Sequence, residues 1–162
     1  MREPHPGPPH APDASPSGKG PALTSAGETL PGGIELIRDD NDLLGGRHAV
    51  RRVALQLGFD LVGQTMIVTA ASELLRNAVV HGGGGTLSIE TVVAPDGRYG
   101  VRLTVRDLGP GITDIAAAMA DGYSTTGGLG HGLSGTRRMV DEFEIRSAPG
   151  EGTTATVLRW TR

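Results

Sequence analysis

The chain contains no cysteine and a single lysine, Lys19, among its 162 residues. Without cysteine, disulfide bonds, thiol nucleophiles and zinc–thiolate sites are excluded. A Walker A loop needs a lysine after its glycines, and an ordinary protein kinase needs one on its third strand. A lysine near the N-terminus serves neither. If this protein handles ATP, its phosphates must be met by backbone amides, a metal ion or arginine.

Long apolar segments and a strong charge are also missing. No run approaches the roughly 20 apolar residues of a membrane span, and the N-terminus lacks the apolar stretch of a signal peptide. The formal net charge of -3 gives no reason to expect nucleic acid or an anionic membrane as a partner. We therefore expect a cytoplasmic protein with neither kind of partner.

The composition divides the chain in two. Residues 1–32 are dominated by Pro, Gly, Ala and Ser, and such a segment cannot bury enough apolar surface to offset its ordering entropy. We predict a disordered tail over 1–32 and one domain over 33–162. In that domain, apolar periodicity predicts strands near 34–37, 87–93, 101–107, 143–146 and 153–160, with the longest helix near 62–81. This order predicts an α+β sandwich, with a mixed, mostly antiparallel sheet covered by helices on one face.

Three polar residues of the longest helix lie on one face. Glu73, Asn77 and His81 are spaced by four residues, so they are nearly in line. Magnesium takes few protein ligands alongside phosphate oxygens and water, and the amide oxygen of Asn77 fits that habit. Glu73, one turn earlier, could accept the proton of a hydroxyl or water. The alternatives are a solvated Glu73, and a His81 that only hydrogen-bonds the helix end.

Asp107 is the last residue of the strand predicted near 101–107. The alternation of Val101, Leu103 and Val105 places it on the apolar side, where a carboxylate is costly unless it is hydrogen-bonded. An adenine amino group would satisfy it, and a cap on the following turn is the alternative. Gly109 and Gly111 follow, where a flat ring could approach the backbone.

A second glycine-rich stretch comes before a predicted helix. Glycines 127, 128, 130 and 132 could point successive N–H groups at a phosphate, aided by the helix N-terminus. His131 lies inside this stretch and could contact phosphate. A mobile linker is the alternative in a chain with 26 glycines.

These segments together resemble the sequence boxes of the Bergerat-fold (GHKL) ATPases, the superfamily of gyrase, Hsp90, histidine kinases and MutL. Glu73-x3-Asn77-Ala-x2-His81 resembles the N box, and Asp107-x-Gly109-x-Gly111-Ile112 resembles the G1 box. The 127–133 loop is similar to the G2 box, and Gly152-Thr153 is similar to the late Gly-Thr whose hydroxyl helps hold adenine. The resemblance covers residues 34–162 and implies a two-layer, histidine-kinase-like ATPase sandwich.

The segment 121–133 and the residues after it narrow the resemblance to the small anti-sigma serine kinases, closest to the RsbT-type switch kinases. That family uses ATP to phosphorylate a serine or threonine of a STAS-domain antagonist protein in bacterial stress signalling, and the RsbT type also activates a partner phosphatase. The resemblance implies Mg-ATP, with Glu73 as the base, Asn77 as the magnesium ligand and Asp107 as the adenine reader. The other nucleotide contacts implied are His81, Gly109, Gly111, Ile112, Thr126, Gly128, Gly130, His131, Gly132, Leu133 and Thr153.

Two other functions stay open. The run Asn77-Ala-Val-Val-His81 is closer to the sigma-binding SpoIIAB and RsbW group, which favours an anti-sigma factor that sequesters a sigma factor. The second is a nucleotide-dependent interaction module without transfer activity. The expected partners are thus a STAS-domain substrate and, beside it, a phosphatase or a sigma factor. A homodimer also stays open.

Overall fold

The computed structural model describes residues 28–30, 33–120 and 132–162. Its elements, in chain order, are β1 (Glu28–Leu30), β2 (Ile34–Ile37), α1 (Asp40–Gln56), α2 (Leu61–Gly82), β3 (Gly85–Val93), β4 (Tyr99–Asp107), α3 (Ile115–Ala118), α4 (Gly132–Arg138), β5 (Glu142–Ser147) and β6 (Thr153–Trp160).

The strands form one sheet in the order β1-β3-β4-β6-β5, and β2 also pairs with β3. Every pair within this sheet is antiparallel. β1 and β2 occupy the same edge of β3, opposite Thr91–Val93 and Gly85–Ser88 respectively. The predicted α+β sandwich is confirmed, and its sheet is antiparallel throughout the described residues rather than mixed. β1 lies inside the segment predicted as a tail, where composition alone gave no sign of a strand.

Side-chain caps begin both long helices. The Asp39 carboxylate accepts hydrogen bonds from the backbone N–H groups of Asn41 and Asp42, at 2.9 and 3.0 Å. Asp60 accepts one from the Gly63 N–H at 2.6 Å. These bonds satisfy amide groups that have no partner inside the helix. α2 ends at Gly82 and is capped by Gly83, whose φ of 70° is the left-handed conformation that favours glycine at this position.

The core lies between α1, α2 and the inner face of the sheet. One apolar stripe of α2 is buried, with relative exposures between 0% and 3% for Ile67, Ala71, Leu74 and Ala78. It packs on buried strand residues, among them Leu87, Leu103, Val105 and Val157. In the part of the chain described, no helix is long and apolar enough to cross a membrane.

Candidate active site

Three polar residues lie side by side on neighbouring strands, at the strand ends that border the core, and are called here the strand-end row. Asp107 of β4 is directly opposite Thr153 of β6, and Thr153 is directly opposite Ser147 of β5. Successive side chains of a strand alternate between faces, so Asp107 and Ser147 share the inner face with the core residues Val105 and Ile145. The row therefore places a carboxylate beside two hydroxyls at the rim of the core.

One oxygen of Asp107 is used within the protein. Oδ1 accepts hydrogen bonds from the N–H groups of Gly109, at 2.9 Å, and Thr153, at 3.2 Å. The side chain thus caps the following turn, as the alternative interpretation proposed. Within the described residues no group hydrogen-bonds Oδ2, although Asp107 is only 9% exposed. Capping the turn and binding an adenine amino group are compatible roles, because the cap uses Oδ1 and leaves Oδ2 free to accept from a ligand.

The end of α2 packs directly against Asp107. A Cβ added at Gly82 would overlap the Asp107 side chain, and a Cβ added at Gly109 would lie 2.6 Å from the Gly82 Cα. Only glycine permits this approach. With a helical rise of 1.5 Å per residue, Asn77 lies about 7 Å and Glu73 about 13 Å along the axis from Gly82. The C-terminal end of α2 is therefore held against the strand-end row.

The three polar residues of α2 differ in exposure. Glu73 and Asn77 are half-buried, whereas His81 is exposed. The residues described contain no group of three or more His, Cys, Asp or Glu side chains arranged to hold a metal. Amide and backbone oxygens, which also bind magnesium, are not among these side-chain types. A magnesium ion held by one amide oxygen, phosphate oxygens and water is compatible with this finding.

The loop after β4 is tied to the β5–β6 turn. Gly111 has a φ of 75°, and a Cβ there would overlap the carbonyl oxygen of Ala148. The Gly150 N–H donates to the Pro110 carbonyl at 2.8 Å, and the Ile112 N–H donates to Ser147 Oγ at 2.8 Å. Gly109 and Gly111 thus allow backbone segments of the protein to meet, a use the sequence interpretation did not foresee.

The remaining candidates fall into two groups. Gly132 is the first residue of α4, and Leu133 is 8% exposed and packs in the core. The Leu133 side chain therefore anchors α4 to the core and does not line an open surface. Thr126, Gly128, Gly130 and His131 lie outside the described residues.

Ser147 was not among the sequence candidates. The signal was present, because Phe143 and Ile145 are apolar residues of the same alternation, and one further step places Ser147 on the core side. The same step singled out Asp107. A serine at the end of a strand is common, however, whereas a carboxylate facing a core demands an explanation.

An antiparallel sandwich with an acidic residue at a strand end, packed against the helix that carries Asn77 and Glu73, agrees with the ATPase sandwich expected from the sequence. The chain belongs to the family described as "Histidine kinase-, DNA gyrase B-, and HSP90-like ATPase", which matches residues 63–161. The family prediction is confirmed, and the nucleotide of this family is ATP.

Its relatives within that family are more specific. The chain is 46% identical over 121 residues to "Serine/threonine-protein kinase RsbT" of Bacillus subtilis (strain 168), covering 75% of this chain and 90% of the relative. It is 31% identical over 117 residues to "Anti-sigma F factor" of Thermoanaerobacter sp. (strain X514), covering 70% and 82% respectively. The predicted kinship with the anti-sigma kinases is confirmed.

A solved structure has a similar fold. The crystal structure of RsbU and RsbW domains from Mycobacterium tuberculosis superposes with a TM-score of 0.57 and 27% sequence identity. The match covers 82% of this chain but only 33% of the solved one, so it concerns part of a longer protein.

Proposed function

We propose that this protein is a serine/threonine kinase that uses Mg-ATP to phosphorylate a STAS-domain antagonist protein in a cytoplasmic partner switch. The observation that carries the proposal is the contact of Gly82 with Asp107 and Gly109, which holds the C-terminal end of the helix bearing Glu73 and Asn77 against the strand-end carboxylate. The 46% identity to a serine/threonine-protein kinase supports the same reaction.

Each residue has a separate task in the proposed reaction. Asp107 Oδ2 accepts a hydrogen bond from the adenine amino group, while Oδ1 stays bound to the chain's own amides. Asn77 would hold the magnesium ion, which when bound offsets the negative charge of the phosphates. Glu73 accepts the proton of the attacking serine or threonine hydroxyl. The new O–P bond forms as the bond to the β-phosphate oxygen breaks, and ADP leaves.

The glycine-rich stretch completes the proposed site. We assign phosphate contacts to Thr126, Gly128, Gly130 and His131, because successive glycine amides can surround phosphate oxygens without a lysine. The exposed His81, at the adenine end of α2, is assigned a contact with the nucleotide.

A second function is favoured by the 31% identity to an anti-sigma F factor. In that case the protein sequesters a sigma factor, and phosphorylation of the STAS protein controls the exchange of partners. A phosphatase is a further proposed partner, in line with the RsbT-type resemblance.

The test is transfer of labelled γ-phosphate from Mg-ATP to each STAS-domain protein encoded in the same genome. Wild type is expected to label a serine or threonine, and Glu73→Gln is expected not to. Glu90→Gln is the matched control, because Glu90 is a half-buried glutamate on the opposite face of the sheet, paired with Arg102 at 3.5 Å. ATP binding without label, together with capture of a sigma factor, would replace the kinase by the second function.

A further inference from the structure

The hydroxyl of Ser147 lies at a junction of three segments. It donates a hydrogen bond to the Gly152 carbonyl at 2.8 Å and accepts one from the Ile112 N–H at 2.8 Å. It also lies 2.9 Å from the Thr153 hydroxyl oxygen, a contact in which either oxygen could donate. Ser147 is half-buried, and the proposed reaction does not use it for the phosphates or for the attacking hydroxyl.

A count of protons decides the direction of that third bond. A serine hydroxyl has one proton and two acceptor positions. The proton goes to the Gly152 carbonyl, which cannot donate, and the Ile112 N–H takes one acceptor position. The position left over is an acceptor, so the Thr153 hydroxyl donates its only proton to Ser147.

The donated proton leaves Thr153 with acceptor positions only. Thr153 is directly opposite Asp107, whose Oδ2 can also only accept. We infer that Ser147 is a specificity-determining positioning residue, which orients the Thr153 hydroxyl so that the base end of the site offers two acceptors side by side. This inference rests on the proposed placement of adenine at Asp107.

Two acceptors distinguish purines by the group at position 6. A 6-amino purine brings a donor, which the site can hydrogen-bond. A 6-oxo purine brings an acceptor, which would be left unpaired against two others, and a buried polar group without a partner is costly. Without the Ser147 hydroxyl, the Thr153 hydroxyl is free to turn and donate to the 6-oxo group, so discrimination weakens.

The experiment compares equilibrium binding of ATP and ITP, whose bases differ at position 6 and in the proton that hypoxanthine carries on N1. Wild type is expected to bind ATP more tightly than ITP, so the ratio of the Kd for ITP to the Kd for ATP is above one. Ser147→Ala is expected to lower this ratio about tenfold, which is the factor that one hydrogen bond contributes. Ser147→Thr, which keeps the hydroxyl, should restore most of the ratio. Ser88→Ala, at a half-buried serine on the other face of β3, should leave it unchanged.

A double-mutant cycle with Thr153→Val tests whether Ser147 acts through Thr153. In the Thr153→Val background, Ser147→Ala should cause no further fall in the ratio. A folded Ser147→Ala protein with the wild-type ratio, or an additive fall in the double variant, would overturn the inference. Folding is checked by cooperative thermal unfolding, and Ser147→Cys takes the place of the alanine variant if that variant does not fold.

Binding readouts also separate this inference from the proposed kinase activity. If wild type binds ATP but labels no STAS protein, the cycle still decides the role of Ser147. If wild type binds neither nucleotide, the adenine site itself is refuted, and the inference about Ser147 falls with it.

Discussion

Replacing the Asp107 carboxylate by a carboxamide tests the adenine contact without changing the shape of the side chain. Oδ1 accepts from the Gly109 and Thr153 N–H groups, so in Asp107→Asn the amide oxygen is expected to keep that position. The amide NH₂ then stands where Oδ2 was and presents a donor to the adenine amino donor. Losing a hydrogen bond to a charged group costs about 2–3 kcal/mol, which corresponds to a roughly 30- to 150-fold higher Kd for ATP.

Isothermal titration calorimetry with ATP and with inorganic triphosphate measures this effect. The variant should lose affinity for ATP but keep its affinity for triphosphate, because only the base contact changes. Its unfolding midpoint should stay within a few degrees of wild type, since both backbone hydrogen bonds remain. Asp96→Asn, in the β3–β4 turn at the other end of the strands, is the matched control. An unchanged Kd for ATP in a folded Asp107→Asn protein would refute the adenine role.

Three further predictions concern the base, the helix–strand contact and one surface pair. Glu73→Gln should lower phosphoryl transfer by about 10²–10⁴-fold while ATP affinity, measured by calorimetry, changes little. Gly82→Ala should destabilise the fold by about 1–3 kcal/mol in urea unfolding, although alanine favours helices, because its Cβ would overlap Asp107. The side-chain hydrogen bond from Arg38 lowers the pKa of Asp42, so the pair stabilises the fold above the ordinary carboxyl pKa, and this contribution is lost as pH falls through the lowered one. Arg38→Ala should raise the pKa of Asp42 in an NMR titration, and an unchanged value would contradict that cause.

Local periodicity was enough to predict where the candidate residues lie on their helix and strand. Glu73 and Asn77 follow from the helical repeat, and Asp107 follows from strand alternation, because both patterns depend only on neighbours in sequence. The caps at Asp39 and Asp60 are similarly local, because each carboxylate accepts from backbone N–H groups two or three residues later. These features needed no knowledge of which strands pair.

Contacts between distant segments could not be predicted in this way. Gly82 reads in sequence as the end of a helix, yet it faces Asp107, 25 positions later, because the fold brings α2 against β4. Ser147 acquires its role only when β5 is known to pair with β6 in the register that sets it opposite Thr153. β1 was missed because its three residues are held by pairing with β3, and their own composition shows no strand pattern.

The most direct test of the account is a single-turnover phosphorylation assay on the cognate STAS protein, with the product read by mass spectrometry. Wild type should add one phosphate to a serine or threonine, and Glu73→Gln should transfer it about 10²–10⁴-fold more slowly at every ATP concentration. Asp107→Asn should be slow at low ATP and approach the wild-type rate at saturating ATP, since it weakens binding and leaves the base intact. Full transfer by Glu73→Gln, or a defect in Asp107→Asn that no ATP concentration restores, would contradict the account.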